Sequence, residues 1–183
     1  MAEFTNSYSK PSVSDLSGFK TKPFVFSTID SAGNDVCACP INKVTRNIFI
    51  GDHNAASNLN ILNNYGITHI VNCAQEVKNY FETTHPKKLK YINLGLLDAD
   101  DGIVPSVPEA YTYISSILLD NPDAKFLVHC HMGMSRSASM VLYYLMKTYR
   151  YDYDRALKLL KKCRPIVRPN DSYSDQLKNL FKK

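Results

Sequence analysis

The sequence predicts an α/β fold, with a central, mainly parallel, twisted sheet flanked by helices on both faces. Two observations carry that prediction. Short apolar runs alternate with longer stretches whose apolar residues recur at helical spacing, and strands joined through helices lie side by side in one direction, which forces the helices onto the two faces of the sheet. In addition, the run Lys125 to His129 passes through a short loop directly into an amphipathic helix, as a strand buried in such a sheet would.

The elements follow in order. Residues 1 to 22 are rich in Ser, Thr, Lys and Asn without periodicity, so a flexible arm is expected ahead of one domain spanning residues 23–183. Val25 to Ile29 and Ile48 to Ile50 read as short strands. Ala55 to Tyr65 reads as a helix, with Gly66 as its C-cap. Ile67 to Asn72 is the next strand, and another ends near Leu94. A helix over Pro108 to Leu119 shows Ala110, Tyr113, Ile114, Ile117 and Leu118 on one face; the helix after the loop repeats the pattern with Ala138, Val141, Leu142 and Leu145. Both stripes are read as core. Asp152 caps a helix reaching Cys163, and the last helix runs from about Ser172 to Phe181.

The loop between strand and helix holds His129-Cys130-His131-Met132-Gly133-Met134-Ser135-Arg136-Ser137. Five residues between cysteine and arginine let the chain curl so that backbone N–H groups from His131 to Arg136 converge on one anion, a phosphate. Arg136 closes the ring with a bidentate pair of hydrogen bonds, which a lysine would not reproduce. Cys130 lies beneath, aimed at phosphorus. Inward amide dipoles, a helix N-terminus and Arg136 all favour its thiolate, and Ser137 is placed to donate a hydrogen bond to the sulfur. His129 is read as orienting the loop, not as a base. A lone cysteine on a strand would read as an inert buried hydrophobe; the full pattern in this context reverses that.

Expelling an alkoxide or phenoxide from a phosphoester requires a proton on the bridging oxygen. Leu96-Leu97-Asp98-Ala99-Asp100-Asp101-Gly102 offers three acids on a surface loop. Asp98 directly follows the apolar run Leu94 to Leu97; Asp100 and Asp101, further along, read as solvated, with contact to a basic substrate segment or substitution for Asp98 as lesser roles.

These residues resemble the cysteine-dependent protein phosphatases, within the protein tyrosine phosphatase superfamily, and specifically the dual-specificity branch. The resemblance extends to Asn47-Ile48-Phe49-Ile50-Gly51 with Ala55-Ala56, to Gly66-Ile67-Thr68-His69-Ile70-Val71-Asn72, and to Arg164-Pro165-Ile166-Val167-Arg168-Pro169-Asn170 with Gln176-Leu177, about residues 44 to 180 in all. It implies a protein-tyrosine-phosphatase-like fold, Asp98 as the general acid, since its place just after Leu94 to Leu97 and its distance upstream of Cys130 resemble that of the family's acid, and a two-step mechanism. Cys130 attacks phosphorus while Asp98 protonates the leaving oxygen; water then hydrolyses the phosphocysteine with Asp98 as base and Arg136 and the loop amides holding the equatorial oxygens. No cofactor or metal is expected, and Cys37-x-Cys39 and the five histidines show no structural zinc spacing.

The implied substrate is a phosphorylated protein, because a domain of this size resembles the shallow-pocket group that accepts phosphotyrosine and phosphoserine or phosphothreonine alike. Met132 and Met134 are neutral where inositol-phosphate phosphatases of the superfamily tend to carry lysines. A phosphatase of a non-protein phosphoester and a non-catalytic phosphopeptide-binding module stay open as alternatives. Cys73, in Asn-Cys-Ala-Gln-Glu, is similar in place to a backdoor cysteine of some relatives; it reads equally as a small buried hydrophobe or as the thiol that rescues an oxidised Cys130 as a disulfide.

Composition narrows the setting. At 183 residues and 44% hydrophobic, the chain has material for one core. It has no apolar run near the roughly 18 residues of a membrane span, no signal peptide pattern and no myristoylation glycine. Five cysteines, an odd number that includes a required thiolate, suit a reducing compartment. A cytoplasmic protein is expected, with the nucleus also open to it. Much of the formal net charge of +5 falls near the C-terminus on Lys158, Lys161, Lys162, Arg164 and Arg168. A solvated helix face accounts for most of it, and a positive field suits a doubly charged phosphoester. Neither nucleic acid binding nor membrane insertion is expected; an acidic protein kinase, docked on the basic patch, is a candidate partner.

Overall fold

Five strands form the central sheet in the computed structural model, which describes residues 28–29, 35–36, 40–98, 102–103 and 106–182. A two-stranded antiparallel ribbon, β1 (Thr28–Ile29) and β2 (Asp35–Val36), precedes them. The sheet then contains β3 (Ile41–Lys43), β4 (Ile48–Gly51), β5 (His69–Ala74), β6 (Lys90–Leu96) and β7 (Phe126–His129), in the spatial order β3-β4-β7-β5-β6. Only β3, at one edge, runs antiparallel to its neighbour. The other pairings are parallel, with Ile48 opposite Phe126 and His69 opposite both Phe126 and Lys90. Of the strand expected over Val25 to Ile29, β1 covers the last two residues; Val25 to Ser27 and the arm at 1–22 lie outside the described residues.

Alternation along the strands divides the core in two. Ile48, Ile50, Val71, Cys73, Phe126 and Val128 face one side, against the helices α3 (Ser106–Asp120), α4 (Arg136–Tyr149), α5 (Tyr153–Cys163) and α6 (Asp171–Leu180). Phe49, Ile70 and Leu127 face the other, with Ala55, Ala56 and Leu62. α4 is the central helix of the first layer: every residue from Arg136 to Met146 is buried.

The helix expected over Ala55 to Tyr65 is two helices, α1 (His53–Ala56) and α2 (Leu59–Tyr65). Local polar groups break it. Asp52 Oδ1 accepts the Ala55 N–H at 2.9 Å, and Asn58, in an extended conformation, accepts from Asn60 and Ile61 at 3.1 and 3.2 Å, so each segment starts on its own cap. Ala55, Ala56, Leu59 and Leu62 keep helical spacing across the break, which hides it from periodicity. Gly66 closes α2 at φ 66°, and Asp152 caps α5 through the Arg155 N–H at 2.7 Å.

Candidate active site

β7 delivers Cys130 to the C-terminal edge of the sheet, and α4 begins at Arg136, so residues 131–135 make the connecting loop. Its orientation follows from where its carbonyls go. His131 O accepts from the backbone N–H of His53 at 3.1 Å and lies 2.9 Å from His53 Nδ1. Met132 O and Gly133 O accept from Arg164 Nη2 and Nε at 2.9 and 2.8 Å, and Met134 O accepts the Arg168 N–H at 2.9 Å. A trans peptide points its N–H opposite to its carbonyl. With four successive carbonyls held on the outside, the N–H groups of Met132, Gly133, Met134 and Ser135 are turned to the inside, and that of Gly133 donates to Cys130 Sγ at 3.2 Å.

The buried sulfur also lies 3.3 Å from Ser137 Oγ, in the first turn of α4. Arg136 is buried, with 3% of its side chain exposed. Nη1 donates to Glu76 Oε2 at 2.6 Å and to Leu96 O at 3.3 Å, while Nη2 lies 3.7 Å from Asp98 Oδ2. Nε has no hydrogen-bond partner among the described residues. Burial works against the charge on Arg136, but the Glu76 hydrogen bond and the negative groups of Cys130, Glu76 and Asp98 outweigh it and hold its pKa above the ordinary value. The guanidinium is a fixed cation.

Asp98 is 55% exposed, on a loop whose two ends are tied to α6: the Tyr173 hydroxyl donates to Leu97 O, and the Ile103 N–H donates to Gln176 Oε1 at 2.9 Å. Asp100 and Asp101 lie outside the described residues. His131 and Met132 are exposed, Met134 and Ser135 are half-buried and buried respectively, and the Asn170 N–H donates to Ser135 Oγ at 3.2 Å. Cys73 is fully buried on β5, the strand beside Cys130. Its thiol is pushed well above the ordinary range by burial and then by the neighbouring Cys130 sulfur, with Arg136 acting in the opposite sense. It is therefore a neutral thiol at rest.

His129 is buried, with Nδ1 3.5 Å from Cys130 O and Nε2 without a partner among the described residues. Burial lowers its pKa from 6.5 to about 4, so the ring is neutral at physiological pH. The unfolded chain takes up this proton near pH 6.5 and the folded protein only near 4, so stability is complete above 6.5 and declines as acid is added. About 2 kcal/mol of a total of about 3 kcal/mol should be gone by pH 5. Denaturant titrations at pH 7 and pH 5 should show that loss in wild type and a correspondingly flatter acid limb in His129→Gln.

Four participants escape the sequence reading. Arg164 falls among the basic residues read as a solvated patch, yet it is buried and grips the loop from outside, with Nη1 also donating to Asn42 Oδ1 at 2.7 Å. His53 stacks on His131 with ring centroids 4.7 Å apart. Glu76 and Asn72 complete the set, and both sit beside Cys73 in the sequence. For three of them the sequence signal was membership in the segments Arg164 to Asn170, Gly66 to Asn72 and Asn72 to Glu76. Among the described residues, no group of three or more His, Cys, Asp or Glu is placed to hold a metal ion, and no helix is long and apolar enough to cross a membrane.

Comparison with known proteins agrees with this geometry. The family model for the dual specificity phosphatase catalytic domain matches residues 48–183. Protein phosphatase Slingshot of Drosophila melanogaster is 34% identical over 136 residues, covering 74% of this chain and 12% of the fly protein. Dual specificity protein phosphatase 19 of Mus musculus is 33% identical over 132 residues, covering 72% of this chain and 57% of the mouse protein. The chain thus spans only part of the length of the relatives it matches. In structure, the Yvh1 phosphatase domain from Chaetomium thermophilum superposes with a TM-score of 0.69 at 25% identity, covering 77% of this chain and 95% of that one. The match in sequence and fold spans the thiol, its amide-lined loop, the buried arginine and the acid 3.7 Å from that arginine, and the chain belongs to the dual specificity phosphatase family, by its catalytic domain.

Proposed function

We propose that this protein is a protein phosphatase that hydrolyses phosphotyrosine and phosphoserine or phosphothreonine monoesters through a phosphocysteine intermediate. The observation that carries the reading is the inverted loop: four carbonyls held outside by His53, Arg164 and Arg168 leave their amides facing the space above Cys130 Sγ. Such preorganised donors stabilise the charge on the equatorial oxygens in the transition state without reorganisation.

The chemistry proceeds in two displacements. Cys130 Sγ forms a bond to phosphorus as the P–O bond to the side-chain oxygen breaks, and Asp98 gives that oxygen its proton. Water then attacks the phosphocysteine, Asp98 takes one of its protons, and the P–S bond breaks to leave a thiolate to which the Ser137 hydroxyl, 3.3 Å away, donates a hydrogen bond. Asp98 lies 3.7 Å from the same guanidinium that holds the phosphate, which places acid and substrate together. Exposed Leu97, Met132 and Ile166 stand on the three segments that carry the acid, the cradle and its outer clamp. They offer apolar contact to residues flanking a phosphorylated side chain, which favours a polypeptide over a soluble metabolite.

A protein kinase is proposed as a partner through exposed Lys158, Lys161 and Lys162 on α5, and a reducing compartment, the cytoplasm or nucleus, through the need for a free thiolate. The test of the activity is phosphate release from matched phosphotyrosine and phosphothreonine peptides. Turnover of both is expected. Binding without release would instead support a phosphopeptide-binding module, and release from a small aryl phosphate alone would place the substrate outside proteins.

A further inference from the structure

We propose that Glu76 is a positioning residue for phosphate capture: it holds Arg136 by Nη1 so that the Nε and Nη2 edge of the guanidinium faces the phosphate, and Asn72 holds Glu76 in place. The proposal rests on the phosphatase reading above and adds to it a residue outside the loop.

The argument begins with donor accounting. A guanidinium has five N–H donors in a planar fork and can offer an oxyanion either its end or its side. Here the two Nη1 contacts, to Glu76 Oε2 at 2.6 Å and Leu96 O at 3.3 Å, occupy one corner of the fork. The opposite edge is left with Nη2, 3.7 Å from Asp98, and with Nε, buried and without a partner among the described residues. A buried donor left unpaired is costly, so this edge is held ready for an acceptor that arrives from outside. The acceptor that the neighbouring amides and Cys130 select is a phosphate oxygen.

Glu76 owes its place to Asn72. That side chain is buried within β5 and staples the turn that follows the strand: Oδ1 accepts the Ala74 N–H at 3.1 Å, while Nδ2 donates to Val77 O at 2.5 Å and to Asn79 Oδ1 at 3.0 Å. The Gln75 N–H adds a bond to Leu96 O at 3.2 Å, the same carbonyl that Arg136 Nη1 reaches. The turn thus presents its carboxylate at a fixed place. Glu76 is itself 50% exposed, and an ion pair of that exposure adds little to stability. What it supplies is aim. The hydrogen bond from Arg136 holds the Glu76 carboxyl below its ordinary range, which keeps the anchor ionised.

Two readouts test this. Tungstate binding is measured calorimetrically on Cys130→Ser, alone and combined with Glu76→Ala, Glu76→Gln or Asn72→Ala; hydrolysis of an aryl phosphate is measured with the same substitutions and Cys130 intact. Glu76→Ala should weaken tungstate binding by about 10-fold and lower kcat/KM by roughly 10²-fold, the scale of an ångström of misplacement at a reacting centre. Glu76→Gln, which keeps an acceptor, should recover much of the binding. Asn72→Ala should act in the same direction, and the double variant should lose no more than the worse single one, because both act through one contact. Unchanged tungstate affinity in Glu76→Ala overturns the proposal, even if its unfolding midpoint falls, since a purely structural residue would show that pattern. Additive losses overturn the part given to Asn72; if Asn72→Ala does not fold, the two Glu76 variants decide. Absence of both tungstate binding and hydrolysis in the unsubstituted Glu76 background would instead mark failure of the phosphatase reading itself.

Discussion

Cys130→Ser is expected to abolish turnover while leaving the cradle intact. The substitution is expected to lower kcat by roughly 10⁴- to 10⁶-fold, the range in which loss of a covalent nucleophile registers, because a hydroxyl ionises far less readily than a thiol and the contact of buried His129 is with Cys130 O, not with the side chain. The amides of residues 132–135 and Arg136 are untouched, so the variant should still bind phosphopeptide and retain it. Asp98→Ala separates the second half of the chemistry. Its loss should be roughly 10² to 10⁴-fold on phosphothreonine, the range of general acid catalysis, and much smaller on an aryl phosphate with an acidic leaving group, which departs without a proton. Single-turnover assays with both substrates measure this. An equal loss on both would remove Asp98 from the role of acid and leave it as a neighbour of Arg136.

Gly133→Ala is expected to destabilise the protein by roughly 2 to 5 kcal/mol, adding about 1–2 kcal/mol for a left-handed backbone to about 1–3 kcal/mol for overpacking. Gly133 has φ 69°. A Cβ there would sit 2.5 Å from Gly51 O and 2.8 Å from both Gly51 C and Arg164 Nη2. Gly51 O is backbone within the sheet and cannot swing aside, so the loop must move. Moving it pulls Gly133 O from Arg164 Nε and the Gly133 N–H from Cys130 Sγ. Activity should therefore fall further than stability alone explains. Gly95→Ala is the control, because Gly95 has φ 61° but nothing within 4 Å of a built Cβ. Only the conformational part, about 1–2 kcal/mol, should appear there. Denaturant midpoints of the two variants decide the point, and equal losses would show that close packing at Gly133 contributes nothing.

The sequence by itself determined the parts of this protein that are written locally. Alternating apolar periods are a property of neighbouring residues, so four of the sheet's five strands, the helices and the mainly parallel sheet were legible, as were the caps at Gly66 and Asp152, whereas the short antiparallel edge strand β3 was not. The loop was legible for the same reason: Cys130, Arg136 and Ser137 fall within eight consecutive residues, and a strand-loop-helix context brings them together. The break between α1 and α2 at Asn58 was local too, but apolar spacing continues across it and the polar cap alone marks it.

Tertiary structure alone decided what holds the loop and aims it. Glu76 meets Arg136 across 60 positions of chain, and Asn42 meets Arg164 across 122. No period in the sequence encodes such pairs, because they arise from the order β3-β4-β7-β5-β6, which puts the turn after β5 and the edge strand β3 on either side of β7. The same holds for charge. Lys161, Lys162 and Arg164 look alike as a run of cations, yet packing leaves the lysines in water and buries the arginine against three oxygen acceptors. A cation is taken out of water only where the fold offers it fixed partners, and only the folded chain brings those partners together.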